Sequence, residues 1–323
     1  MRTRFALIAF AALLASPFAA PASAQPFPNR PIRIIVPFEA GGAMDIIMRV
    51  VGKAATDGGG PPIVIENKTG AGGAIGVMAV KDAAPDGYTL VEVSSSTHVL
   101  NPHTTASIPY DPVKDFQPIA MLVKVPTILT VPASSPANSL ADLLELARKK
   151  PGGLNYGSAG VGSAPHITGA LLEKSSKIQM THIPYRGMAG AMTDLLGGRL
   201  DFVYSSIPSI GGNLADGKVK LLAIAGKNRI KDFPQIPSMA ELGHPEVDVD
   251  LWFGLVAPLG TDAATIRTLN GIFVKATNAP ELAERFKQLG VEIATGTPAE
   301  FKQALESDNA RLGPFVKELT TRK

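Results

Sequence analysis

The chain has 323 residues, of which 31 are lysine or arginine and 28 are aspartate or glutamate, and it contains no cysteine. The absence of cysteine excludes disulfide bonds, thiol catalysis, cysteine metal sites and a lipid-anchored cysteine. The charge is nearly balanced and the basic residues form no block, which argues against nucleic acid as a partner. The length is sufficient for two units with separate cores.

The first 24 residues have the three parts of a secretory signal peptide. Arg2 and Arg4 form a basic start, residues 5–14 an apolar core, and Ala22-Ser23-Ala24 a small-residue cleavage site. The apolar core is too short to span a bilayer, and no later stretch reaches the length of a membrane helix. We therefore predict cleavage after Ala24 and export of the remaining chain.

A glycine turn after the first predicted strand is the most informative feature of the mature chain. The strand covers residues 32–36, Ala40-Gly41-Gly42 follows, and a helix is predicted from about Asp45. The first turn of a helix has N–H groups without partners and a partial positive charge, so it can bind a carboxylate or phosphate without a basic side chain. Two alternatives stay open: the glycines can form only a tight turn, and Asp45 can cap the helix.

Strands and helices alternate through the rest of the first unit. A buried strand is predicted at residues 63–65, then a second glycine turn at Gly70-Ala71-Gly72-Gly73, a short helix toward Lys81 and a strand at 88–93. This alternation favours a parallel sheet.

The middle of the chain repeats this arrangement. A capping box at Ser139-Leu140-Ala141-Asp142 opens one helix, and a strand, a glycine loop and another helix follow at 154–174. Further strands are predicted at 179–183, 202–204 and 221–225, with a helix around 189–196. The loop from Tyr156 to His166 mirrors the first glycine turn, and the hydroxyls of Ser158 and Ser163 add hydrogen-bond donors.

The last quarter is predicted to be mostly helical. One helix begins at Pro280, and Thr297-Pro298-Ala299-Glu300 gives another both a capping box and an early proline. Because too few strands remain for a third unit, residues 249–256 are predicted to cross back. The result is an α/β protein whose two lobes, 25–124 with 250–323 and 125–249, are joined by two crossover strands and separated by a ligand cleft.

Several motifs, which together cover nearly the whole mature chain, are similar to those of a known family. They are Pro31-Ile32-Arg33-Ile34-Ile35-Val36-Pro37-Phe38 before Ala40-Gly41-Gly42 and Asp45, then Glu66-Asn67-Lys68, Gly70-Ala71-Gly72-Gly73, Asp86-Gly87-Tyr88-Thr89-Leu90, Asn101-Pro102, Tyr110-Asp111-Pro112, Tyr156-Gly157-Ser158, His182-Ile183-Pro184-Tyr185-Arg186-Gly187 and Trp252-Phe253-Gly254-Leu255-Val256-Ala257-Pro258. On these motifs the chain resembles the tripartite tricarboxylate transporter receptors, the extracytoplasmic solute-binding proteins of the Bug family.

The resemblance implies a type II periplasmic binding fold that closes on a small dicarboxylate, tricarboxylate or aromatic acid. It implies delivery of that acid to a large and a small membrane permease subunit, a location in the periplasm, and neither catalysis nor a cofactor or metal. We expect a monomer. The alternative function is that of a ligand-presenting partner of a periplasmic sensor.

The resemblance also implies a set of ligand-binding residues. From the first lobe these are Phe38, Ala40, Gly41, Gly42, Asp45, Gly70, Ala71, Gly72, Gly73, Ser95 and Thr97, and from the second lobe Ser158, Ser163 and His166. We add Tyr185, Ser205 and Ser206 of the second lobe to the predicted ligand-binding residues. For His166 and Tyr185, simple packing is the alternative. Many members have aspartate where this chain has Ser205, which favours plain carboxylates over amino acids, and Ser205 with Ser206 could donate to a distal carboxylate. Thr69 stands where the family usually has proline.

Enzyme functions fit the spacing less well. The stretch from Gly70 to Gly76 misses the dinucleotide-binding pattern by one residue, and the chain has no Gly-Lys-Ser or Gly-Lys-Thr phosphate loop. Neither Ser158 nor Ser163 has a glycine two positions before it, so neither lies in a nucleophile elbow. The five histidines lack the spacing of metal ligands.

Overall fold

The structure is a computed structural model that describes residues 27–104, 108–150, 152–249 and 251–321. The predicted signal peptide and its cleavage site lie outside these residues. Within the described ranges, none of the helices combines the length and the apolar composition that a bilayer crossing requires.

Elements of the first lobe come from both ends of the chain. The first part contains β1 (Ile32–Val36), α1 (Ala43–Asp57), β2 (Ile63–Asn67), α2 (Ala74–Lys81), β3 (Thr89–Ser94), a π-helical segment (Ser96–Leu100), α3 (Asn101–Thr104) and β4 (Phe116–Lys124). The second lobe follows with β5 (Ile128–Pro132), α4 (Leu140–Lys149), β6 (Leu154–Ser158), α5 (Ala164–Ser176), β7 (Met180–Pro184), α6 (Met188–Leu196), β8 (Phe202–Ser205), α7 (Ile207–Ala215) and β9 (Val219–Ile224). The chain then returns through β10 (Trp252–Pro258), α8 (Ala263–Thr277), α9 (Pro280–Gln288), β11 (Glu292–Ile293) and α10 (Pro298–Thr321).

Each lobe is built on its own sheet. The first sheet has the order β11-β4-β10-β3-β1-β2 and the second the order β7-β6-β8-β5-β9. β1, β2 and β3 are parallel, as are β6, β7 and β8. The predicted α/β fold with two lobes is confirmed.

The alternation of strands and helices favours parallel pairing, which these strands show, but each sheet also contains antiparallel strands. β10 and β11 are antiparallel to their neighbours in the first sheet, and β5 is antiparallel to β8 and β9 in the second. β4 and β9 each end at the cleft edge of their sheet, and the chain enters the other lobe at the same edge. The entering strands β5 and β10 must therefore run in the opposite direction.

The predicted caps determine where several helices begin. Ser139 Oγ accepts from Asp142 N at 3.1 Å. Glu300 Oε2 accepts from Thr297 N at 2.7 Å while Thr297 Oγ1 accepts from Glu300 N at 3.2 Å, which is a reciprocal capping box. The sequence reading missed the π-helical segment after β3 and helix α7, and it placed the start of α1 two residues late.

β3 places a carboxylic acid in the core of the first lobe. Glu92 is fully buried, and neither of its carboxyl oxygens has a hydrogen-bond partner among the described residues. Burial raises the pKa of Glu92 well above its usual value, and the negative charge of Asp45 raises it further. The folded chain therefore favours the protonated acid.

We expect Glu92→Gln to stabilise the protein at neutral pH and to have little effect in acid. Because the pKa of Glu92 is raised on folding, its contribution is fully present below about 4.5 and is lost as the pH rises through the folded pKa. The loss is up to about 1.4 kcal/mol for each pH unit between the two pKa values, and glutamine removes it.

Urea unfolding of both proteins across this pH range measures the difference in free energy of unfolding. Glu284→Gln, on the exposed surface of α9, is the matched control. A difference between Glu92→Gln and wild type that stays constant with pH would contradict the assignment.

Candidate ligand-binding site

The cleft between the two lobes contains a cavity lined from both sides. The cavity has a volume of about 60 Å³, which is enough for several water molecules. Its apolar lining consists of Phe38, Ala43, Met44, Ala159, Pro165, Met188, Leu251 and Phe253, and its polar side chains are those of Ser96, Thr127, Ser205, Ser206 and Ser209. Among the described lining residues, none carries a charge.

The first glycine turn is held by a buried carboxylate. Gly41 has a φ of 81°, in the left-handed region that favours glycine, and its N–H donates to Asp45 Oδ2 at 3.0 Å. Asp45 Oδ1 accepts from Arg49 Nε at 2.9 Å and from Asn67 Nδ2 at 3.0 Å. Asp45 thus fixes the turn to α1 and β2, and it is not among the residues that line the cavity.

The ionisation of Asp45 depends on these partners. Burial by itself would raise its pKa, but the hydrogen bonds from Arg49, Gly41 and Asn67 and the charge of Arg49 outweigh burial and hold the pKa below its usual value. The carboxylate is therefore ionised when the turn is intact.

A network of hydroxyl and imidazole groups holds the second glycine turn. Ser158 Oγ accepts from Gly160 N at 3.1 Å and lies 2.6 Å from His182 Nε2, while Ser163 Oγ donates to Gly160 O at 2.7 Å. His166 Nδ1 accepts from Gly162 N at 3.1 Å, so this nitrogen carries no proton. These side chains lie behind the turn and shape it from within the second lobe.

Two hydrogen bonds connect the lobes in a reciprocal way. Ala43 N, at the start of α1, donates to Ser209 Oγ of α7 at 3.1 Å, and Ala164 N, at the start of α5, donates to Ser96 Oγ of the π-helical segment at 2.8 Å. Each helix N-terminus therefore meets a serine of the opposite lobe at the cavity. The lobes are in a closed arrangement.

The mouth of the cleft is closed by the remaining glycine turn of the first lobe. A Cβ atom added to Gly72 would lie 2.6 Å from Val161 O of the second lobe, so the two backbones meet there. At Gly73, where φ is 97°, a Cβ atom would lie 2.7 Å from Thr97 Cγ2. Glycine is required at both positions.

The structure brings four of the predicted ligand-binding residues to the cavity: Phe38, Gly42, Ser205 and Ser206. The others lie around the cavity. Ala40 and Gly41 are exposed in the first glycine turn, and Gly70, Ala71, Gly72 and Gly73 are at the mouth of the cleft. Ser95 and Thr97 are buried after β3, while Asp45, Ser158, Ser163 and His166 hold the glycine turns in place. Tyr185 donates its hydroxyl to Asp194 Oδ2 of α6 at 2.6 Å.

Sequence reasoning missed Ser96, Ser209 and Thr127. Ser96 follows Ser95 directly, but the π-helical segment directs the second of the two serines to the cavity. Ser209 had a signal, because Ser206-Ile207-Pro208 repeats the serine and early proline that mark the start of α5.

Two α/β lobes joined by two crossovers, with a cavity between helix N-termini, define a solute-binding protein of the periplasmic type. The family model described as "Tripartite tricarboxylate transporter family receptor" matches residues 47–321. The chain belongs to this family of periplasmic substrate-binding receptors.

Relatives of known sequence or structure match over nearly the whole chain. The protein BugT of Bordetella pertussis is 34% identical over 301 residues, which cover 93% of this chain and 92% of BugT. The structure of R. palustris Rpa4515 with adipate has a TM-score of 0.87 at 29% identity and covers 92% of this chain and 99% of its own. MatC from Rhodopseudomonas palustris with bound malate has a TM-score of 0.84 at 31% identity, covering 90% and 100%.

We expect Asp45→Asn to destabilise the chain by about 1.5–3 kcal/mol, the range for hydrogen bonds to a charged group. The amide cannot accept from Gly41 N, Arg49 and Asn67 together, and the charge that pairs with Arg49 is lost. Because the pKa of Asp45 is lowered on folding, this contribution is present above about 3.8 and is lost as the pH falls through the folded pKa.

Urea unfolding at neutral pH and near pH ~3 measures this difference, which should shrink in acid. Asp57→Asn, at the exposed end of α1, is the control. An Asp45→Asn variant as stable as wild type at neutral pH would exclude this role.

Proposed function

We propose that this chain captures a small carboxylate between its lobes and delivers it to the membrane subunits of a tripartite tricarboxylate-type transporter. The observation that carries the proposal is the pair of helix N-termini, one from each lobe, that meet serine hydroxyls at a shared cavity. None of the described residues that line this cavity is charged. Helix N-termini favour anions through their partial positive charge and unpaired N–H groups.

The serines extend the helix N-termini into the cavity. Ser96 Oγ accepts from the first amide of α5, so its own hydrogen is available for a ligand oxygen. Ser209 Oγ accepts from the first amide of α1 and lies 3.3 Å from Ser206 Oγ. A hydroxyl that accepts from a helix N-terminus is polarised and becomes a better donor. The carboxylate is thus bound by neutral donors that both lobes supply.

Magnitudes explain why closure is necessary. Micromolar affinity corresponds to about 8 kcal/mol, whereas a helix terminus contributes roughly 0.3–2 and a hydrogen bond about 0.5–1.5. One lobe alone supplies too few contacts. A closed cavity supplies enough of them, and because none is a buried ion pair, reopening can release the ligand.

The lining also restricts the kind of acid. Phe38, Met44, Met188, Leu251 and Phe253 favour a hydrocarbon body. An amino group would find no carboxylate among the described lining residues. We infer a dicarboxylate or an aromatic acid, in keeping with the adipate and malate in the two related structures.

The predicted signal peptide and the family support a proposal for the location and the partners of this chain. The signal peptide is removed after Ala24, the mature chain acts in the periplasm as a monomer, and its partners are the large and small permease subunits. The lobes are 25–124 with 250–323 and 125–249, and the crossovers between them form the hinge.

A thermal-shift panel on the mature chain tests the ligand class. It contains diacids, tricarboxylates, aromatic acids, amino acids and nucleotides. A bound acid at about a hundred times its Kd stabilises the fold by about 2.7 kcal/mol. We expect a diacid or an aromatic acid to give the largest rise in Tm. Stabilisation by nucleotides alone, or turnover of the bound acid, would refute the proposal.

Ser96→Ala and Ser209→Ala test the two donors. Each is expected to weaken binding of the best acid by roughly two- to tenfold, because one hydrogen bond is lost. Calorimetric titration measures the change, and Ser134→Ala, at an exposed serine that does not line the cavity, is the control. Tighter binding by either variant would show that the serine competes with the ligand for the helix N-terminus and does not donate to it.

A further inference from the structure

One hydroxyl of the cavity has no hydrogen-bond partner in the part of the chain that the structure describes. Thr127 lies in the crossover between β4 and β5, lines the cavity and is 2% exposed, and its Oγ1 has no hydrogen-bond partner among the described residues. Its backbone is fixed, because Thr127 O accepts from Ala225 N at 2.8 Å. The large majority of buried polar side-chain atoms have a partner. An exception in a residue that lines a ligand cavity points to a partner on the ligand.

Each of the other hydroxyls in the described cavity lining has a hydrogen-bond partner in the protein. Ser96 and Ser209 accept from the helix amides, Ser205 Oγ lies 2.8 Å from Thr130 Oγ1, and Ser206 Oγ lies 3.3 Å from Ser209 Oγ. Among the described residues of the lining, Thr127 therefore has the one hydroxyl without any hydrogen-bond partner in the protein, at the hinge side of the cavity.

The surroundings of Thr127 favour a negatively charged or oxygen-bearing group. Ile128 is opposite Ser205 in the sheet, so Thr127 lies beside the end of β8. Helix α7 begins two residues after Ser205, and its partial positive charge favours an anion there. The described lining of this cavity contains no acidic side chain to receive an amine. The acidic residues Asp232 and Asp248 line a separate, larger groove that Thr127 also borders.

We propose that Thr127 donates its hydroxyl hydrogen to an oxygen at the far end of the ligand and so selects acids with a second carboxylate over monoacids of the same length. The inference rests on the proposed capture of a carboxylate and assigns the specificity of that site. The first carboxylate is bound by Ser96 and Ser209, and the second is bound at the hinge.

A matched pair of ligands and two variants test the assignment. Adipate and hexanoate have the same chain length and differ in one terminal carboxylate. Thr127→Val removes the hydroxyl and keeps the branched shape, whereas Thr127→Ser keeps the hydroxyl. Calorimetric titration of the mature chain and both variants gives six affinities.

We expect wild type to prefer adipate. Thr127→Val should lose about tenfold in adipate affinity, the equivalent of one hydrogen bond, and change less than about twofold with hexanoate. Thr127→Ser should keep most of the preference. A role in shape alone would leave both affinities unchanged in Thr127→Val, because valine keeps the branched shape of threonine.

Three outcomes overturn the inference: equal losses for both acids, an unchanged preference in Thr127→Val, or a wild type that does not prefer adipate. The proposed function survives each of these if acids still bind. If wild type binds no carboxylate of the wider panel, the proposed function fails and the inference fails with it. Thr127→Ala gives the same comparison if Thr127→Val does not fold.

Discussion

The N–H groups at the starts of α1 and α5, which have no acceptor within their own helix, are the constraint on which the site depends. Backbone donors at a helix N-terminus need acceptors when they are buried, and here each helix finds one on a serine of the other lobe, Ser209 or Ser96. The same two bonds hold the lobes together and place neutral donors in the cavity. Closure and anion recognition thus have one physical origin.

The residues around the glycine turns divide into two groups with separate tasks. Asp45, Ser158, Ser163 and His166 fix the backbone of the turns through hydrogen bonds to Gly41, Gly160 and Gly162. A different set of hydroxyls, those of Ser96, Thr127, Ser205, Ser206 and Ser209, lines the cavity. Because the turn-holding groups have used their hydrogen-bonding capacity locally, the shape of the anion site is set before any ligand arrives.

The buried acid Glu92 destabilises the core of the first lobe when its carboxyl group is ionised. Its carboxyl oxygens have no partner among the described residues, which raises its pKa and makes the neutral form the one compatible with the fold. Glu92 lies in β3, and the negative charge of Asp45 raises its pKa further. Because the pKa of Asp45 is lowered, the two carboxyl groups of this lobe favour opposite protonation states.

The sequence by itself determined the alternation of strands and helices, the two glycine turns and the caps at Ser139 and Thr297, because these features depend on residues close together in the chain. The tertiary structure decided the direction of β5 and β10, since this follows from where the crossovers enter each sheet. It also decided which hydroxyls reach the cavity. In the π-helical segment it is Ser96, and not its neighbour Ser95, that lines the cavity. Ser209 accepts its hydrogen bond only because helices α1 and α7, which are distant in the sequence, lie next to each other in the fold.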